Sequence, residues 1–132
     1  MTWICGDHGM KMTLSKDVPG LVAKNLRSFL STVLEQAGTS LDSACAEARF
    51  AVHPGGPKIL DQVKETLGLR EEQIQASREV LREYGNMSSA TLPHIWQRIA
   101  QDEHVPAGAP IISMAFGPGL TICAAVMSKV SA

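Results

Sequence analysis

Charge of one sign, long apolar runs, paired cysteines and nucleotide-binding glycine motifs are all missing from this sequence, and each absence removes a class of function. Lys and Arg total 12 against 13 Asp and Glu, a formal net charge of −1. Neither nucleic acid nor a membrane surface is an expected partner, because both select basic patches. No apolar run approaches the roughly 20 residues that span a bilayer. The start, Met1-Thr2-Trp3-Ile4-Cys5-Gly6-Asp7-His8, lacks the basic cluster and apolar stretch of a signal peptide, so a cytoplasmic location is expected. The cysteines, Cys5, Cys45 and Cys123, are odd in number and form no C-x-x-C pair. That speaks against a disulfide framework and a structural zinc site, and no metal is expected. No G-x-S-x-G, P-loop or G-x-G-x-x-G string occurs, which removes the serine-hydrolase elbow and the two common nucleotide cradles.

What remains is a globular balance. The chain has 132 residues, 45% hydrophobic and 19% charged, the size and composition of one α/β domain over residues 1–132. Trp3-Ile4-Cys5 and the alternating Met10, Met12 and Leu14 suggest strands around a Gly6-Asp7-His8-Gly9 turn. From Val18 the apolar period changes: Leu21, Val22, Leu26, Phe29, Leu30, Val33 and Leu34 form a helical stripe, with Pro19 in the first turn and Gly38 as the stop. Residues 39–46 read as a loop or short turn. Ala48 to Val52 is a short apolar run broken sharply by His53-Pro54-Gly55-Gly56-Pro57, which favours a buried strand. Three helices are then expected. One runs from Pro57 to Gly68; the second, from about Arg70 to Tyr84, has Ile74, Ser77, Leu81 and Tyr84 on one side and Gly85 as its stop. The third is capped by Ser88 or Ser89 and carries Leu92, Ile95, Trp96 and Ile99. Ile111–Phe116 and Leu120–Val130 read as an antiparallel strand pair joined through Gly117-Pro118-Gly119. The order predicts a mixed sheet with helices packed on it.

Few residues invite a chemical role. His53 stands where a strand ends and a helix begins, the edge at which open α/β sheets build sites. Gly55 and Gly56 follow it, so the backbone there can pass close to a ligand. Read alone, His53 is as well explained as a structural or surface residue. Asn86 after Gly85 is, by itself, an ordinary helix terminator, since both residue types tolerate left-handed dihedrals. Its chemical alternative is an amide N–H aimed at a developing oxyanion beside a histidine N–H. Phe116-Gly117-Pro118-Gly119 is either a plain hairpin connection or a rigid pocket wall. His8, His94 and His104 show no ligand-like spacing. Cys45 and Cys123 have no basic neighbour or helix start to lower their pKa, and Cys5, though near His8 in sequence, falls in an expected strand, so none reads as a nucleophile.

Four strings in register change the weight of these residues. Lys16-Asp17-Val18-Pro19-Gly20, His53-Pro54-Gly55-Gly56-Pro57 with Ile59-Leu60-Asp61-Gln62-Val63, Tyr84-Gly85-Asn86-Met87-Ser88-Ser89-Ala90, and Phe116-Gly117-Pro118-Gly119-Leu120-Thr121-Ile122 together resemble the carboxy-terminal half of type III polyketide synthases, the chalcone and stilbene synthase family. The resemblance runs from about residue 7 to the end. It implies half of a thiolase-like fold and acyltransferase chemistry with a Cys-His-Asn constellation. His53 would be the catalytic histidine and Asn86 the catalytic asparagine, while the nucleophilic cysteine belongs to an amino-terminal half. Phe116, Gly117 and Pro118 resemble the loop that shapes the cyclisation cavity, with Ala115 where the family commonly has Gly. Met12 stands where plant members usually carry a gatekeeping Phe, and Gly55 and Gly56 would border substrate. The implied substrates are malonyl-CoA and an acyl-CoA starter, with no cofactor, and the implied partners are the amino-terminal half and a second copy in a homo-oligomer. This chain alone is expected to be inactive. Two other readings stand beside it: a non-catalytic binding or regulatory domain of the same fold, and a relative of beta-ketoacyl-ACP synthase III.

Overall fold

The computed structural model describes residues 2–13 and 18–130. It opens with a hairpin, β1 (Thr2–Gly6) and β2 (Gly9–Thr13), whose Gly6↔Gly9 pair closes on Asp7 and His8. Helix α1 (Val18–Gln36) follows and buries Val18, Val22, Leu26, Leu30 and Leu34, most of the stripe expected from the sequence, while Leu21, also expected on it, is exposed. Residues 41–47 depart from expectation. They form a helix, α2 (Leu41–Glu47), because the Ser40 side chain accepts from the Ser43 N–H and Leu41 and Ala44 turn inward.

Strand β3 (Arg49–Val52) leads through the Pro/Gly run into α3 (Pro57–Leu67), which carries Pro57 in its first turn and ends on Gly68 at φ 68°, ψ 34°. Next come α4 (Glu71–Tyr84), a short 3-10 turn at Ser88–Ala90, and α5 (Thr91–Gln101). No Ser side chain caps α5; instead the Thr91 hydroxyl accepts from the Met87 N–H at 2.9 Å. Strands β4 (Pro110–Gly117) and β5 (Thr121–Ser128) finish the described chain as the expected antiparallel pair.

The sheet order is β3-β4-β5, with β3 and β4 parallel in the register Phe50↔Ile112 and Val52↔Met114. Alternation divides the core in two. Phe50, Val52, Ile112 and Met114 join the inward stripes of α1 and α3 in one cluster. Ala51 and Ile111 point the other way and join Ile95 and Ile99 of α5. The result is helix, sheet, helix.

Helix α4 belongs to neither layer alone, since it gives Ile74 to the first cluster and Val80 to the second. It lies along the outer edge of β3. There Ser77 Oγ accepts from the Val52 N–H at 2.9 Å, and Gln73 Nε2 donates to the carbonyls of Ala48 and Cys45, each at 2.9 Å. The buried face of α4 is therefore Gln73, Ile74, Ser77 and Val80. Tyr84, expected on that face, is 55% exposed.

Candidate functional site

His53 is the first residue past β3, and its N–H still donates to the Met114 carbonyl at 2.8 Å, which extends the parallel ladder by one step. The imidazole thus leaves the carboxyl end of the β3/β4 pair. Phe116 and Gly117 close β4 at the same end, where they pair with Ile122 and Thr121 of β5. The turn is braced by the Thr121 hydroxyl, which donates to the Pro118 carbonyl at 2.9 Å. Phe116 is half-buried against the larger core cluster, whereas Pro118 is exposed.

Asn86 reaches this end by a different route. Going up α4, Gln73 meets Ala48 and Ser77 meets Phe50 and Val52, so helix and strand run in the same direction. Gly85 then ends the helix at φ 71°, ψ −161°, a conformation that a side chain would strain. Asn86 is delivered beyond the carboxyl end of the helix, on the side of the sheet where His53 emerges. A groove of about 520 Å³ lies between α4, through Leu81 and Arg82, and α3, through Pro57 and Leu60, so this part of α4 also flanks the helix that follows His53.

The two side chains are prepared for donation in different ways. Asn86 Oδ1 accepts from the Ser88 N–H at 2.8 Å. Because that partner can only donate, the carbonyl oxygen is fixed and Nδ2 is the atom turned outward. Among the described residues, Nδ2 makes no hydrogen bond. His53 is half-buried, and burial holds its imidazole below the ordinary histidine value. The neutral ring keeps one N–H to donate and one lone pair to accept.

Gly55 and Gly56 line the connection into α3. A Cβ at Gly55 would sit 3.7 Å from Ile59 Cγ1, an ordinary contact, and one at Gly56 would meet no protein atom within 4 Å. The packing of the protein itself therefore does not demand either glycine. Met12 belongs to β2, but its side chain lies outside the described residues.

No thiol is set beside these groups. Cys5 and Cys123 are exposed, and burial pushes the Cys45 thiol up, with Arg27 pulling the other way and Asp42 adding to the rise. His94 and His104 are exposed, bonded to the Ala90 carbonyl and to Asp102. Among the described residues no group of His, Cys, Asp or Glu is placed to hold a metal ion, and no helix is long and apolar enough to cross a membrane. A larger cavity of about 920 Å³ lies between α4 and α5, lined by Arg49, Glu79, Tyr84, His94, Arg98 and Asp102 among others. Neither His53 nor Asn86 borders it.

The family model for chalcone and stilbene synthases, C-terminal domain, matches residues 4–131. The chain belongs to that family. Among solved structures it is similar to the C-terminal type III polyketide synthase domain of Steely1, a type I/III hybrid from Dictyostelium. The TM-score is 0.90 and the identity 28%, over 99% of this chain and 36% of that one. It is also similar to PKS-I from the brown alga Ectocarpus siliculosus, with a TM-score of 0.83 and 30% identity over 98% of this chain and 35% of that one. The chain thus spans little more than a third of these relatives. The fold is the C-terminal part of a thiolase-like α/β architecture, and the chalcone synthase-like assignment rests on the matched domain.

One site-related residue, Gln73, was missed in the sequence, where its only signal is a polar side chain on a face otherwise apolar. Ser77 was expected on the packed side of α4, but its bonds to the edge of β3 were not foreseen.

Proposed function

We propose that this domain stabilises a thioester enolate for a decarboxylative Claisen condensation, with His53 and Asn86 as the paired donors. One observation carries the reading: a neutral imidazole and an amide with its N–H₂ unspent both emerge at the carboxyl end of β3, on elements locked to each other by buried hydrogen bonds. On this reading malonyl-CoA binds with its thioester oxygen against the two N–H groups. The C–C bond to the carboxylate breaks, carbon dioxide leaves, and its electron pair becomes the enolate, with charge on that oxygen. Two preorganised neutral donors stabilise such charge more in the transition state than in the ground state. The enolate carbon then attacks the carbonyl of an acyl thioester held on a cysteine; the new C–C bond forms and the thiolate leaves.

That cysteine has no counterpart here, because the three thiols lie away from the proposed donors or are held protonated. The nucleophile, and the further walls of a pocket, would come from an amino-terminal thiolase-like half. Phe116, Gly117 and Pro118 would line the cavity from this side, with Gly55, Gly56 and Met12 near the substrate. No resident cofactor is called for, since the CoA thioester supplies the activation. Assembly as a homo-oligomer is carried by the family resemblance alone.

The test is reconstitution. The chain alone should release no carbon dioxide from malonyl-CoA and form no polyketide. Adding a separately expressed nucleophile-bearing half should restore decarboxylation, and His53→Ala or Asn86→Ala should then lower turnover at least about a hundredfold, the scale of losing one oxyanion donor. Polyketide made by the isolated chain, or full activity in either variant, would sink the proposal. Preference for carrier-protein over CoA thioesters would point instead to fatty-acid condensing enzymes.

A further inference from the structure

Strand β3 has β4 on one side and, among the described residues, no strand on the other. A parallel neighbour would supply both donors and acceptors to that free edge; here one hydroxyl does both. Ser77 is fully buried, accepts from the Val52 N–H at 2.9 Å and donates to the Phe50 carbonyl at 3.4 Å. Val52 directly precedes His53, whose own N–H is held from the opposite side by Met114. The last two peptides before the imidazole are thus held from opposite flanks, the Ala51–Val52 peptide by Ser77 and the Val52–His53 peptide by Met114.

The same hydroxyl fixes the helix that ends at Gly85 and Asn86. One turn earlier, Gln73 Nε2 bonds the Ala48 and Cys45 carbonyls, and its Oε1 accepts from the Arg70 N–H at 2.9 Å. Two buried pegs one turn apart resist both sliding and rotation, and a slip of one turn would move the helix end by about 5.4 Å.

We propose that Ser77 is a positioning residue for the reaction, setting the height of α4 against β3 and so the placement of Asn86 relative to His53. The inference rests on the roles proposed above for those two side chains. Ser77 touches no reacting atom, and its effect is exerted through the peptide at Val52 and the axis of α4. Burial of the imidazole depends on the same anchoring, so loosening the strand should let water reach the ring.

Two readings on one set of variants test it: Ser77→Ala, Ser77→Thr, and Leu34→Val as a core change in α1 remote from the site. In the isolated chain, NMR would follow the His53 ring through a pH titration and the side-chain amide of Asn86. Ser77→Ala should move the His53 midpoint up toward the ordinary histidine value and shift the Asn86 amide, whereas Ser77→Thr and Leu34→Val should leave both in place. In the complex reconstituted with the nucleophile-bearing half, Ser77→Ala should lower kcat for malonyl-CoA decarboxylation about tenfold at unchanged KM, the scale of a small misplacement of a positioned group. Ser77→Thr should stay within about twofold of the parent. Should Ser77→Ala not fold, Ser77→Cys fills the space with a weak donor and acceptor and is read the same way. The proposal is overturned if the alanine variant is destabilised yet keeps the parent's His53 titration and Asn86 shifts. A reconstituted parent with no decarboxylase activity would instead overturn the functional reading, and the NMR comparison would still decide the role of Ser77.

Discussion

Along the outer edge of β3, side chains of α4 bond the strand's peptide groups, whereas along the outer edge of β5 nothing among the described residues does. Lys129, just past β5, directs its N–H to the Ala109 carbonyl and its C=O to the Gly108 N–H. By alternation Ser128, Val126, Ala124 and Ile122 turn their peptide groups to the open side. An edge can be finished by buried polar side chains or left to solvent, and this sheet does one on each flank. The finished edge is the one that ends at His53. The strand and helix bearing the proposed donors are thus tied by groups that cannot be removed without leaving a buried peptide unpaired, while the opposite flank carries no such constraint.

The sharpest way to break the contrast is to empty the buried edge. Gln73 is 2% exposed and supplies the bonds to two carbonyls. Gln73→Ala should therefore destabilise the chain by about 1–3 kcal/mol, the cost of stranding buried acceptors, read as a lower urea midpoint at unchanged m. A shift below about 0.5 kcal/mol would mean that water replaces the amide and that the edge is not sealed.

This pairing also marks how far the sequence could be read. Apolar period identified α1 and α3 because their buried faces are made of Leu, Ile and Val, and the β4/β5 pair showed itself as two apolar runs on either side of Gly117-Pro118-Gly119. On α4 it placed Ile74, Ser77 and Leu81 inward correctly but added Tyr84, which is exposed, and passed over Gln73, a buried polar residue that a hydrophobic stripe cannot count. Helix α2 escaped notice for a related reason: its 7 residues are under two turns, too short for a period, and its start rests on a Ser40 side-chain bond. Trp96 is a third case, 37% exposed with its indole N–H donating to Ser113 Oγ at 2.9 Å. It sits at the margin of the sheet and not in the core. His53 and Asn86 were legible only as parts of strings. That both elements run in the same direction toward one end of the sheet depends on the Gln73 and Ser77 bonds, which no spacing rule contains.

A gentler probe of the finished edge is pH. Burial lowers the folded-state pKa of His53 below its unfolded value, so the unfolded chain binds the proton more readily. The contribution to stability is fully present above the ordinary histidine pKa of about 6.5 and is lost as pH falls through the lower, folded value. Stability should decline on acidification across that window, and His53→Gln should flatten this part of the profile. An identical decline in the variant would assign it to other groups.

The smallest effect is expected where the same chemical deletion is made on the open flank. Ser77 and Ser128 differ in sequence only by neighbourhood, and each loses one hydroxyl on substitution by alanine. Ser128 is exposed at the end of β5 and its hydroxyl makes no hydrogen bond among the described residues. Ser77 is fully buried and bonded to two successive peptides of β3. Ser128→Ala should therefore stay within about 0.5 kcal/mol of the parent, as exposed changes usually do. Its His53 and Asn86 resonances should not move. If Ser128→Ala destabilised the chain as strongly as a change on the β3 side, the β5 edge would have to be covered in solution, and the asymmetry between the two flanks would be a property of the isolated chain alone.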